Sequence, residues 1–90
     1  MPTVEVEVRG RVQGVGFRYF TKGLADRLGV AGEVWNRRDG GVGILAGHPD
    51  EAVLAQFVEG LRNGPGRVDH VTQTPTPLTV LRPFSIGITR

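Results

Sequence analysis

The sequence contains no cysteine, which excludes disulfides, thiolate catalysis and every cysteine-based metal site. No apolar run approaches the roughly 20 residues that a membrane-spanning helix needs. The first residues, Met1-Pro2-Thr3-Val4-Glu5, alternate and carry charge, where a secretion signal would be basic and then continuously apolar. The cytoplasm is therefore the expected location, with no membrane partner. Lysine is scarce as well: Lys22 is the one non-arginine among 11 basic side chains, and 9 acids leave a formal charge of +2. The densest basic spot, Arg37-Arg38, falls short of the runs of five or more that mark nucleic-acid-binding tails, so nucleic acid is not an expected partner. His48 and His70 stand far apart without acidic partners at ligand spacing. Both read as surface or loop histidines, and no metal or other cofactor is expected.

What is present suits a small globular protein. A chain of 90 residues can build one core and not two, so a single domain over 1–90 is expected; a monomer is the expected state, which the length does not decide. Val4, Val6 and Val8 alternate with Glu5, Glu7 and Arg9, the period-two pattern of a strand with one wet face. Residues 10–16 hold three glycines and read as a loop. Phe17, Phe20, Leu24 and Leu28 then recur at helical spacing, with Gly29 as a stop, so a helix of about a dozen residues begins near Arg18. Val30 to Arg38 reads as a strand, Asp39-Gly40 as a two-residue hairpin turn, and Val42, Ile44 and Ala46 as its partner strand. His48-Pro49-Asp50-Glu51 opens a second helix, striped by Val53, Phe57 and Leu61 and stopped at Gly64-Pro65; Asp50 and Glu51 serve its dipole. A weakly patterned strand around Val68 and Val71 runs into Thr74-Pro75-Thr76-Pro77, and Phe84, Ile86 and Ile88 alternate to the end.

The expected order is strand, helix, strand, strand, helix, strand, strand. Two helices cannot cover both faces of such a sheet. The economical solution is an α+β, ferredoxin-like split βαβ sandwich, an antiparallel sheet with both helices packed on one face.

The glycine loop is the most informative feature. Loop amides and the positive end of the following helix make an anion seat, and Arg18 would add a planar, permanently charged fork suited to phosphate. The bland alternative, that Gly14 and Gly16 only shape a turn and Arg18 is a solvated first-turn residue, stands level with it. Nucleotide motifs fail: the dinucleotide fingerprint would need glycine at Tyr19, and no Gly-Lys-Ser/Thr ending exists. Asn36 is the second feature. By period two it shares the helix-covered face with Val34, where a buried amide needs partners, although bonding its own backbone near the turn would also satisfy it. Asp39 reads as a turn residue.

The run Val8-Arg9-Gly10-Arg11-Val12-Gln13-Gly14-Val15-Gly16-Phe17-Arg18 resembles the first signature of acylphosphatases. Gly32-Glu33-Val34-Trp35-Asn36, followed by Asp39-Gly40-Gly41-Val42, resembles most of the second, and the element order and the Gly64-Pro65 break are similar too. The resemblance spans essentially the whole chain. It implies hydrolysis of acyl phosphates to carboxylate and inorganic phosphate, with phosphate as product inhibitor and no cofactor. It also implies site roles: Arg18 as the phosphate-binding arginine, Asn36 as the water-positioning asparagine, and Gln13, Gly14, Val15, Gly16 and Phe17 as an amide cradle. Glu33, Trp35 and Gly47-His48 depart from the usual pattern; Glu33 and Trp35 are expected on the face opposite Asn36, with Trp35 exposed.

Two other classes fit the same architecture. An RNA-binding module could stack a base on Trp35, but Val42-Gly43-Ile44-Leu45-Ala46 lacks the aromatic RNP pattern. A non-catalytic phosphate-binding or interaction module would differ from an enzyme only in lacking turnover.

Overall fold

Alternation sets the first strand. In β1 (Thr3–Arg11), Val6 and Val8 are buried while Glu5 is exposed, so one face is apolar and the other wet. The computed structural model describes residues 1–80 and 82–90. Helix α1 (Phe17–Leu28) buries Phe17, Thr21 and Ala25 along one stripe, and the Thr21 hydroxyl satisfies itself by donating to Phe17 O at 2.9 Å. It ends at Gly29, whose N–H returns to Ala25 O. Strands β2 (Ala31–Asn36) and β3 (Val42–Gly47) follow as an antiparallel pair. Helix α2 (Glu51–Gly60) starts on Asp50, whose Oδ1 accepts from Ala52 N at 2.8 Å, and runs into a 3-10 turn (Leu61–Asn63). Edge strand β4 (Arg67–Pro75) pairs along the whole of β1, and a short β5 (Ser85–Ile86) closes the other edge.

The sheet order is β4-β1-β3-β2-β5, with both helices contributing to one core against Val8, Val34, Val42 and Ile44. This is the ferredoxin-like α+β arrangement. Phe17, Phe57 and Leu61 fill the space between helices and sheet. The opposite face carries Glu5, Glu7, Glu33 and Trp35.

Three sequence expectations change. The sheet is antiparallel except at β5, which runs parallel to β2. The registers put the end of β4 at the sheet end where β2 begins, and the Ala31 to Pro83 bridge returns the chain there, so a strand added from that point runs with β2. The alternation of Phe84, Ile86 and Ile88 also overstates this strand. Phe84 is buried and Ile86 half-buried, but Ile88 lies past the end of β5 and is 82% exposed. Finally, the β2–β3 turn is not a two-residue hairpin. Arg37 N donates to Gly41 O at 2.8 Å, leaving three residues, Arg38, Asp39 and Gly40, in the connection. A two-residue turn would need positive φ at Asp39 as well, whereas only Gly40 takes it, at 98°.

Candidate active site

After Arg11 the chain leaves the sheet through Val12, which is buried and anchors the loop from below. Gly14 and Gly16 then adopt φ of 72° and 86°, the left-handed region that side chains resist. A Cβ on either would meet no atom within 4 Å, so backbone conformation and not crowding requires glycine there. Gly16 flanks α1 directly, and no side chain caps the helix. The N–H groups of Gly14 to Arg18 have no acceptor among the described residues; the first amide to find one is Phe20, on Gly16 O at 3.0 Å. Uncommitted amides at the positive end of a helix dipole favour an anion.

Arg18 lies in that first turn, half-exposed. Arg9, Arg37, Arg62, Arg67, Arg82 and Arg90 all sit in ion pairs, whereas Arg18 has no acidic partner among the described residues. Its guanidinium is free for a ligand.

Asn36 ends β2. It pairs with Val42, and Val42 pairs on its other side with Val8, so β1 and β2 run in the same direction and leave the sheet at the same end. Two residues after the fully buried Val34, Asn36 shares the helix-covered face, as expected. Its Oδ1 is buried and accepts no hydrogen bond from any described residue. Backbone bonding near the turn therefore does not satisfy the side-chain carbonyl.

Gln13 joins the two elements. Its Nε2 donates to Arg37 O at 2.6 Å and to Gly41 O at 2.8 Å, using both amide hydrogens to fasten the glycine loop to the turn next to Asn36. Asp39 holds the same turn. Arg9 from β1 reaches its two oxygens at 2.8 and 2.9 Å, Arg37 approaches at 3.0 Å, and Gly41 N donates at 3.2 Å. The hydrogen bonds from Arg37, then Arg9, then Gly41 push the Asp39 carboxyl far below its ordinary range. A depressed carboxylate stabilises the fold above its unfolded pKa and stops doing so as pH falls through its folded one. Asp39→Asn is expected to lower Tm at pH 7, and its difference from the parent should narrow steadily below pH about 4, as parent Asp39 protonates in the unfolded chain. Thermal melts of both proteins from pH 7 to 2 check this.

Other features lie elsewhere. The groove lined by Met1, Gly29, Val30, Gly47, Val80 and Phe84 opens at the opposite end of the sheet. His48 accepts from Asp50 N at 2.9 Å in the loop before α2, and His70 is exposed on β4. Among the described residues, no three His, Asp or Glu side chains gather as metal ligands, and no helix is long and apolar enough to cross a membrane.

Residues 4–86 match the family model described as Acylphosphatase. The chain belongs to the acylphosphatase family. An acylphosphatase of Latilactobacillus sakei subsp. sakei is 55% identical over 75 residues, covering 80% of each chain. The crystal structure of acylphosphatase from Bacillus subtilis superposes with a TM-score of 0.91 at 44% identity, covering 97% of this chain and 99% of that one. An acylphosphatase structure from Coxiella burnetii gives 0.87 at 28% identity, covering 96% and 92%.

Within this acylphosphatase framework one surface expectation needs correcting. Trp35 is half-buried, not exposed: it lies across Gly43, where any side chain would strike its ring, and the Arg90 guanidinium covers it at 4.2 Å from the ring centroid. A base has no free indole face to stack on. Glu33, on the same open face as expected, is held by Arg90 and Arg82. The bidentate bond of the Gln13 side chain and the part played by Arg90 are not legible in the sequence, because both join residues far apart in the chain and follow no spacing rule.

Proposed function

We propose that Arg18 and the loop amides from Gln13 to Arg18 hold the phosphoryl group of an acyl phosphate, and that Asn36 places the water that attacks it in line. As a member of the acylphosphatase family, the chain is a hydrolase of acyl phosphates. The assignment of residues rests on one observation: the uncommitted polar groups of this corner complement the reaction. The loop offers donors without acceptors, and Asn36 offers a buried acceptor without a donor.

The chemistry asks for little more. The leaving group is a carboxylate whose conjugate acid has a pKa of about 4, so it departs without a general acid. The phosphoryl transition state is loose, with charge on its peripheral oxygens, and fixed N–H donors with a guanidinium stabilise it where that charge sits. A neutral amide takes no proton in this range, but the Asn36 side-chain amide can bond a water and thereby aim its lone pair at phosphorus. The P–O bond to the carboxylate breaks, the water oxygen joins phosphorus, and the released proton goes to solvent or to the product phosphate. No step calls for a metal. The same seat binds the product, so inorganic phosphate inhibits by competition. One core formed by both helices and the sheet supports reading the chain as a single unit, and the same proposal takes it to act on a small molecule as a cytoplasmic monomer, with no nucleic acid involved.

Steady-state hydrolysis of benzoyl phosphate tests this reading. Turnover is expected at the same rate with and without EDTA, with competitive inhibition by inorganic phosphate. Loss of activity in EDTA, restored by a divalent ion, would sink the metal-free scheme. A folded protein with no turnover would move the assignment to a phosphate-binding module.

A further inference from the structure

The segment after β5 is fastened to β2 around Asn36. Gly87 N donates to Val34 O at 2.7 Å, Arg90 N to Asn36 O at 2.9 Å, and Arg38 N to Arg90 O at 2.8 Å. The backbone of Arg90 is therefore bonded on one side to Asn36 and on the other to the turn that follows it. Its side chain lies on the open face of the sheet, where the guanidinium covers the Trp35 ring and Nη2 donates to Glu33 Oε1 at 2.6 Å. Arg82 approaches the same oxygen at 3.5 Å, and the Glu33 carboxylate lies over Gly87, where any side chain would collide with it. Glu33 is only 16% exposed, whereas the carboxylates of the chain's other ion pairs are 34% to 75% exposed. Screening by solvent is correspondingly weaker for this pair.

This attachment has little else behind it. The β5 ladder covers only Ser85 and Ile86, and residues 88–90 are exposed, so backbone bonds there compete directly with water. The side chains of Glu33, Arg90 and Trp35 supply what the ladder lacks. We propose that Arg90 is a positioning residue: the Glu33–Arg90–Trp35 latch fixes the end of β2 and so sets Asn36. The inference rests on Asn36 being the water-placing residue. Without the latch, the outer edge of β2 loses its side-chain clamp and Asn36 is held from the β3 side and by the turn that Gln13 and Asp39 fasten, and in-line attack tolerates little displacement of the water. Arg90 touches neither the glycine loop nor Arg18 among the described contacts, so phosphate binding is left alone.

The test measures kcat, KM and phosphate inhibition for Arg90→Ala, Arg90→Lys, Glu33→Gln, Asn36→Ala and the Arg90→Ala/Asn36→Ala double variant. Arg90→Ala is expected to lower kcat about tenfold, with KM and the phosphate inhibition constant within about twofold of the parent. Arg90→Lys keeps the charge but loses the flat stacking and the fork, and Glu33→Gln keeps the shape but loses the charge; both should fall between. In the Asn36→Ala background, Arg90→Ala should cost nothing further. If the two losses multiply, or if Arg90→Ala changes only KM or phosphate inhibition, the latch does not act through Asn36 and the proposal fails. If Arg90→Ala does not fold, the two conservative variants carry the same comparison. An Asn36→Ala protein at the parent rate overturns the water-placing reading itself, and the latch with it; an impaired Asn36→Ala with an additive Arg90→Ala overturns the latch alone.

Discussion

Arg18→Gln is expected to lower kcat/KM for benzoyl phosphate by at least about 10³-fold, and to weaken inhibition by inorganic phosphate in parallel. Glutamine keeps a polar side chain of similar reach but removes the charge and the planar fork that matches two phosphate oxygens. The cost is large because the transition state holds its charge on those oxygens and no other free cation stands in the first turn of α1. Phosphate inhibition distinguishes binding from chemistry: a group that touches the phosphoryl oxygens must affect product as well as transition state. Stability should change little, since the guanidinium has no acidic partner among the described residues to lose. A variant that turns over near the parent rate, or that is inhibited by phosphate as strongly as the parent, would remove Arg18 from the role.

How far the sequence announces this arrangement depends on the range of each interaction. Local patterns carry well. Alternation in Val4, Val6 and Val8 and helical recurrence in Phe17, Leu24 and Leu28 report faces, and those residues are buried in the core or packed against it, with Phe20 beside Phe17. The same period places Asn36 with Val34 on the helix side, and the glycine loop with its free amides follows from residues adjacent in the chain. Direction and pairing at long range do not carry. A period-two pattern says which side chains face inward but not which strand lies alongside, so the parallel run of β5 against β2 is invisible in Phe84, Ile86 and Ile88. Gln13 binds carbonyls 24 and 28 positions away, and Arg90 meets Glu33 across 57. Trp35 reads as exposed for the same reason: its cover comes from Arg90, far along the chain.

Asn36→Ala is expected to separate activity from stability. Its Oδ1 is buried without a hydrogen-bond partner among the described residues, a condition that costs a fold about 1–3 kcal/mol when water does not relieve it. Alanine removes that carbonyl while keeping the β2 backbone, including the Asn36 O that accepts from Arg90 and the pairing with Val42. Tm should therefore hold or rise. Turnover should fall about 10²- to 10³-fold, through kcat with KM nearly unchanged, because the phosphoryl group is still seated on the loop while the water has lost its direction. Phosphate inhibition should also stay at the parent value, the opposite of Arg18→Gln. The combination is diagnostic: a merely structural asparagine, bonded within its own turn, would lose stability on truncation and leave kcat alone. Thermal melts and steady-state kinetics on the one variant decide between them, and a lowered Tm with unchanged kcat would return Asn36 to a structural role.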